Sequence, residues 1–449
     1  MVETNKNARR DYRLDFCRGV ALILIFIDHV PGNPASLWTL RKWAFCDAAE
    51  VFVVISGISA YLAYSSTLER FGFLRCAGMV GRRWLRIYGA HLLLIFSTAA
   101  LVWLASVYFG RNYLDFLCVG PLFRDPRHYI AAAVTLRYLP RYSDILPLYL
   151  ILFAAAPALI LFVRRSPWWA LGASGSIYLA ARLIHFNLSA GYDGLEWCFN
   201  PFAWQLLFVI GVVVGHFGHA SVETPAHFGR YERLWLGAAA AFTLFALLAA
   251  APWTGSDASR TLFSFPLWPA EKTFLSPLRV ANVVALLYLL AYFVPRQASF
   301  FHTPIASLFL ACGRNSLPLF GVGVLLSCAG YVALEQFDGK IIAPAVNLAG
   351  ISFLLAFAWL LDSRRNLRDA SGISLSRARA HLIPAHFDLP QPARLALRQP
   401  FSVRLDPEPV TISMPRTHNF EPARGLADTN GLRYRTALTP RSRRGDDLF

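Results

Sequence analysis

An arginine and a histidine frame an apolar helix near the start of the chain. Arg18 and His29 are separated by ten residues, nearly all of them apolar. Because an α-helix rises about 1.5 Å per residue, the two side chains are predicted to lie roughly 16 Å apart, about half the thickness of a bilayer core. Ionisable groups on a membrane helix are costly and usually functional. We interpret Arg18 as an anchor for a charged group and His29 as a reactive group near the other end of the helix.

His29 is the candidate general base. An imidazole removes a proton from a hydroxyl group most effectively when a second group, often a carboxylate, orients it. Asp28 is its neighbour in sequence, but adjacent residues on a helix do not face each other. Carboxylates from other segments, namely Asp47, Glu50 and Asp144, are better placed, and Glu50 and Asp144 rank ahead of Asp28. A structural alternative stays open, in which His29 only caps its helix at the membrane interface.

A second cluster predicts a binding site for phosphate groups. Arg83 and Arg86 lie three residues apart, so both belong to one face of a helix. Guanidinium groups bind phosphate through paired, charge-assisted hydrogen bonds. The cluster also fits the excess of basic residues in cytoplasmic loops, and that topological interpretation stays open.

The composition points to a membrane protein. The chain has 449 residues, of which 56% are hydrophobic and 16% are charged, whereas soluble domains have about 45–50% apolar and about 25% charged residues. The apolar residues form long blocks, as in transmembrane helices. We attribute the net charge of +16 to cytoplasmic loops and an anionic lipid surface rather than to nucleic-acid binding. The seven cysteines are scattered, without metal-ligand spacing, so no metal site is predicted.

These blocks predict an all-α, polytopic integral membrane protein with about ten transmembrane helices and a disordered C-terminal tail. We expect a polar N-terminal segment at residues 1–12, a membrane domain at 13–362 and a disordered, basic cytoplasmic tail at 363–449. An arginine-rich connection over residues 69–86 is expected between the second and third helices, and residues 111–144 are expected to form a long loop.

The basic residues also predict the orientation. Lysines and arginines concentrate in the loops of one side, which places both termini in the cytoplasm. Arg83 and Arg86 would then lie at the inner face and His29 near the outer face. In the sixth predicted helix, the spacing of Gly211 and Gly215 is typical of a surface on which another helix packs closely.

Several segments together resemble the OpgC family, within the acyltransferase-3 superfamily of membrane acyltransferases. In that superfamily an arginine and a histidine share the first helix, and an arginine pair lies at the inner end of the third. The similar segments, within residues 11–361, are RLDFCRGVALILIFIDH, AEVFVVISG, RRWLRIYGAH, DILPLYL, LSPLRVANVVALLYLL and GRNSLPLFGV. Ile58 departs from the pattern, because relatives often carry an aromatic residue there.

The resemblance implies an O-acyltransferase of the bacterial inner membrane. It implies an acyl-CoA, succinyl-CoA in the founding activity, as co-substrate rather than as a bound cofactor, held near Arg18, Arg83 and Arg86. His29 would deprotonate a hydroxyl of a periplasmic glucan or another extracytoplasmic glycan. The partners expected are therefore acyl-CoA, the glycan and the lipid bilayer, without nucleic acid.

Two other functions use the same residues. A transporter for an anionic solute or sugar would use intramembrane charges as a pathway, although the internal repeats frequent in transporters are not visible in this sequence. A non-catalytic assembly subunit would need neither His29 nor the arginines.

Overall fold

The computed structural model describes residues 11–191, 195–220, 231–250, 271–337 and 339–381. Over these ranges the regular secondary structure is helical, without a β-strand. The all-α prediction is therefore confirmed for the described part of the chain.

Thirteen α-helices are found among the described residues. In chain order they are α1 (Tyr12–Asp28), α2 (Leu40–Trp43), α3 (Ala48–Phe109), α4 (Gly120–Arg124), α5 (Pro126–Val134), α6 (Ile145–Arg165), α7 (Pro167–Leu183), α8 (Pro201–Ala220), α9 (Glu232–Ala250), α10 (Pro277–Phe293), α11 (Pro304–Arg314), α12 (Ser316–Gln336) and α13 (Ile342–His381). Proline occupies the first turn of α5, α7, α10 and α11, where its missing N–H costs no helical hydrogen bond.

Six helices are long and apolar enough to cross a membrane: α3, α6, α8, α9, α12 and α13. The helices α1, α7 and α10 each have 17 residues. The structure is thus that of a helical membrane protein, with six helices rather than ten meeting both length and hydropathy requirements within the described residues.

The predicted connection over residues 69–86 is wrong, because this stretch is helical and belongs to α3. The backbone breaks once, at Gly72, with φ 77° and ψ 179°, a conformation that glycine adopts at little cost. The Cys76 thiol lies 3.9 Å from the carbonyl oxygen of Tyr64. Since twelve residues of straight helix would span about 18 Å, α3 folds back on itself at Gly72 and forms two arms.

The two arms of α3 lie at the centre of the bundle. They pack against α8, α6, α12 and α1, while α1 also packs against α11. Gly57 and Gly211 allow α3 and α8 to approach closely, because a Cβ at Gly211 would lie 2.1 Å from the Val54 carbonyl oxygen. The predicted packing surface on the sixth helix is therefore confirmed, and the fully buried Trp204 and Phe208 lie on the same helix.

Two further expectations need correction. The loop predicted at residues 111–144 contains the short helices α4 and α5. The tail predicted from residue 363 begins as helix, because α13 continues to His381. Residues 1–10 and 382–449, with the rest of the predicted tail, lie outside the described residues.

Candidate functional site

Helix α1 positions both residues of the arginine–histidine pair. Asp11 precedes the helix and accepts a hydrogen bond from the Arg13 amide at 3.1 Å, a typical N-terminal cap. The helix ends at Asp28, and His29 is its C-terminal cap residue. Because eleven helical steps of about 1.5 Å separate Arg18 from His29, the two residues lie in regions of the bundle that are roughly 16 Å apart. We call these regions the arginine end and the histidine end.

The His29 imidazole is held by its own helix. Nδ1 lies 2.6 Å from the Ile25 carbonyl oxygen, and since a carbonyl only accepts, Nδ1 donates and Nε2 carries the free lone pair. The Tyr142 ring packs edge-on against the imidazole, with 4.5 Å between ring centroids. Burial lowers the pKa of His29 to about 4, so the imidazole is neutral near pH 7. This is the protonation state of a general base.

The carboxylate expected to orient His29 is not the observed partner, because the Ile25 carbonyl takes that place. Asp28 accepts a hydrogen bond from the Thr39 hydroxyl at 2.6 Å. Both oxygens of Glu50 are engaged elsewhere: Oε1 binds Arg279 at 2.5 Å, and Oε2 accepts from the Asp47 amide at 2.9 Å. The completely buried Glu50 therefore serves a salt-bridge cluster.

Asp144 does reach the region of His29. Both residues line one cavity of about 660 Å³ at the histidine end, which we call the histidine cavity. Asp144 lies just before α6, near the Cys198 thiol, and burial raises the pKa of its carboxyl group. Its carboxyl group is therefore available to a ligand bound beside His29.

Two cations that we did not single out in the sequence, Lys272 and Arg279, also line the histidine cavity. Asp47 binds Lys272 at 2.8 Å and Arg279 at 3.1 Å. The Lys272 ammonium also lies 5.1 Å from the Phe199 ring centroid. Arg279 belongs to α10, within the quoted segment LSPLRVANVV, and an arginine in an apolar helix is a signal that could have identified it. Lys272 lies in an irregular segment, where the sequence pattern gave no such signal.

The arginine end contains a smaller cavity, of about 70 Å³, which we call the arginine cavity. Arg18, Arg83, Ser56 and Tyr149 line it. Arg18 donates from Nη2 to the Ile55 carbonyl oxygen at 3.3 Å, while its buried Nε has no hydrogen-bond partner within the described structure. An arginine with a buried, unused donor at a cavity wall is suited to an anionic or carbonyl ligand.

Only one member of the predicted arginine pair lines this cavity. Arg83 is half-buried beside Arg18. Arg86 is exposed, and its Nε donates to the Arg82 carbonyl oxygen at 3.3 Å. The structure therefore separates the two arginines, because Arg83 faces the bundle and Arg86 faces outward.

The two cavities are adjacent. Ile25, Ile145 and Phe320 contribute to the walls of both. These three apolar side chains form the partition between the arginine cavity and the histidine cavity. A slender ligand that passed them would connect Arg18 and Arg83 with His29.

This architecture defines a class: a polytopic helical protein with two adjacent cavities along its first helix, each lined in part by charged or titratable side chains. A family model described as OpgC protein matches residues 10–366. The chain therefore belongs to the OpgC family, as the sequence resemblance predicted. Membership implies a glucan-modifying acyltransferase. A comparison with curated proteins finds no match.

Proposed function

We propose that this protein is an O-acyltransferase that moves a succinyl group from succinyl-CoA to hydroxyl groups of a periplasmic glucan. The observation that carries the proposal is the pair of adjacent cavities along α1, one lined by Arg18 and Arg83 and the other by His29. The family supports the reaction class.

The proposed topology has ten spans in the bacterial inner membrane, with both termini in the cytoplasm. The two arms of α3 count separately, since the chain folds back at Gly72. The helices α1, α7 and α10, at 17 residues each, are about 25 Å long, close to the roughly 30 Å of a bilayer core. With α6, α8, α9, α12 and α13 they make ten.

In this proposal the acyl donor enters from the arginine end. Arg18 and Arg83 provide positive charge and hydrogen-bond donors for the donor's polar groups, with Arg86 outside the cavity as a further phosphate contact. The thioester-bearing arm extends past Ile25, Ile145 and Phe320 into the histidine cavity. The acyl group thus reaches the acceptor without transfer of the whole donor across the membrane.

His29 performs the proton transfer at the other end. Nε2 removes the proton from a glucan hydroxyl, whose oxygen attacks the thioester carbonyl carbon. The carbon–sulfur bond breaks, the ester forms, and the departing thiolate recovers the proton from His29. Lys272 provides a cation in the same cavity for the negative charge that develops on the carbonyl oxygen. The Ile25 carbonyl orients the imidazole, and Asp144 provides a hydrogen-bonding group for the acceptor.

The test is the mass of periplasmic glucans from cells with and without this chain. A succinyl increment that depends on the chain supports the proposal. An acetyl increment would identify acetyl, not succinyl, as the transferred group and would leave the proposed reaction class unchanged. Unchanged glucans, together with solute uptake by reconstituted protein in the absence of any acyl donor, would favour a transporter.

A further inference from the structure

A third cavity lies on the lateral surface of the bundle. It has a volume of about 330 Å³ between α1, α3, α8 and α10, and it is lined almost entirely by apolar side chains. Val214 and Val284 are 49% and 40% exposed, so the cavity opens sideways, toward the region that lipid occupies. We call it the lateral groove.

The end of the lateral groove near the start of α1 is charged. Arg13 forms a two-bond ion pair with Asp11, at 2.9 and 2.7 Å, and also donates to the carbonyl oxygens of Ala291 and Val294. These bonds hold the start of α1 against the end of α10. Arg296 lies 3.8 Å from Asp11, and its side chain is 47% exposed. Two cations and one carboxylate thus leave a net positive charge, with Arg296 open to a ligand.

We propose that the lateral groove binds an anionic phospholipid, with one acyl chain in the groove and the phosphate on Arg296. Basic pockets between transmembrane helices bind anionic headgroups at a membrane surface. Along α10 the lining runs from Val284 to Ala291, a length of about 10 Å. This is roughly two-thirds of the 15 Å of a single hydrocarbon leaflet, so a chain fills the groove while its headgroup stays at the charged end.

The groove and the arginine cavity share a structural element. Ile55 lines the groove, and its carbonyl oxygen accepts the hydrogen bond from Arg18. A lipid chain against Ile55 therefore supports the backbone that holds Arg18. The bound lipid stabilises the arginine end and does not take part in the reaction, so the proposal is independent of the acyl group and of the acceptor.

The test is native mass spectrometry of the full-length protein, titrated separately with phosphatidylglycerol, phosphatidylcholine and soluble glycerol 3-phosphate. We expect one saturable phosphatidylglycerol site, about fivefold tighter than for phosphatidylcholine, since one basic residue near an anionic headgroup contributes about 1 kcal/mol. Arg296→Gln should remove this preference. Val284→Trp should weaken binding of both lipids by filling the groove. The Leu348→Trp variant, at an apolar side chain of α13 that is 71% exposed, should bind both lipids as the wild type does.

Three results would overturn the proposal. Equal affinity of the wild type for the two lipids would show that the site does not select an anionic headgroup. An unchanged preference in Arg296→Gln would assign it to another residue. Glycerol 3-phosphate binding as tightly as phosphatidylglycerol would define a site for free phosphate. Because Arg296→Gln changes a half-exposed side chain, it keeps the proposal testable even if Val284→Trp fails to fold.

Discussion

Replacing Arg279 by methionine should destabilise the protein far more than removing an arginine from its surface. Arg279 is 9% exposed and binds Glu50, which is completely buried, and Asp47, which is 10% exposed. Methionine retains the apolar part of the side chain but not the charge. The variant therefore leaves the completely buried Glu50 without its arginine partner.

The magnitude follows from this burial. Breaking a buried ion pair by removing one partner costs about 3–5 kcal/mol of unfolding free energy, because the other charge remains desolvated and unpaired. Asp47 is less affected, since Lys272 still binds it at 2.8 Å. Adding Glu50→Gln to Arg279→Met removes the stranded charge, while the glutamine oxygen can still accept from the Asp47 amide. The double variant should recover most of the loss.

The assay is equilibrium unfolding in mixed detergent micelles, applied as a double-mutant cycle. The chain contains a matched control, because Arg111 pairs with Glu335 at 3.7 Å while the two side chains are 55% and 43% exposed. Arg111→Met should cost about 1 kcal/mol or less, as for exposed ion pairs generally. A cost for Arg279→Met no larger than this, or a double variant less stable than Arg279→Met alone, would refute the view that a desolvated cluster holds the histidine end together.

Three other predictions concern packing, proton transfer and donor binding. Gly211→Ala should destabilise the protein by about 1–3 kcal/mol in the same assay, because the added Cβ would collide with backbone atoms of α3. Gly218→Ala, at a position on the same helix with open space around it, should be neutral. Equal effects of the two substitutions would contradict the close packing. The value of kcat/KM should not fall between pH 7 and pH 5 and should fall near pH 4, because the pKa of His29 is lowered to about 4 and a general base is inactive once it is protonated. A fall near pH 6.5, the ordinary histidine pKa, would contradict this. Arg83→Gln should raise the KM for the acyl donor about tenfold, and Arg86→Gln much less, because only Arg83 lines the arginine cavity; equal KM changes in steady-state kinetics would contradict it.

The sequence was sufficient to predict the helical membrane domain and the separation of Arg18 and His29 along one helix. Both follow from local rules: apolar runs of membrane length predict helices, and a rise of about 1.5 Å per residue fixes the separation of two side chains on one helix. The fold-back at Gly72 was harder, because a helix that changes direction at one residue leaves its hydrophobic pattern almost continuous. An arginine-rich segment there looked like a loop but is helix.

Contacts between segments distant in sequence were not predictable in the same way. Glu50 binds Arg279, which lies more than two hundred residues later in the chain. The periodicity of a helix does not predict such a pairing. The partner of the His29 Nδ1 atom was missed although it is close to His29 in sequence. It is the carbonyl of Ile25, four residues earlier, a backbone acceptor that a survey of side-chain types does not consider. Arg83 and Arg86 show a further limit, since three-residue spacing places them near each other but does not say which one faces the bundle.

The central claim is that His29 removes the proton from the acceptor hydroxyl. It is tested most directly by acyl transfer from succinyl-CoA to glucan in proteoliposomes that contain equal amounts of wild-type or His29→Gln protein. The claim predicts a loss of about a hundredfold or more for His29→Gln, the usual contribution of a positioned general base, and full activity for His128→Gln, at an exposed histidine of α5. Transfer by His29→Gln at the wild-type rate would contradict it.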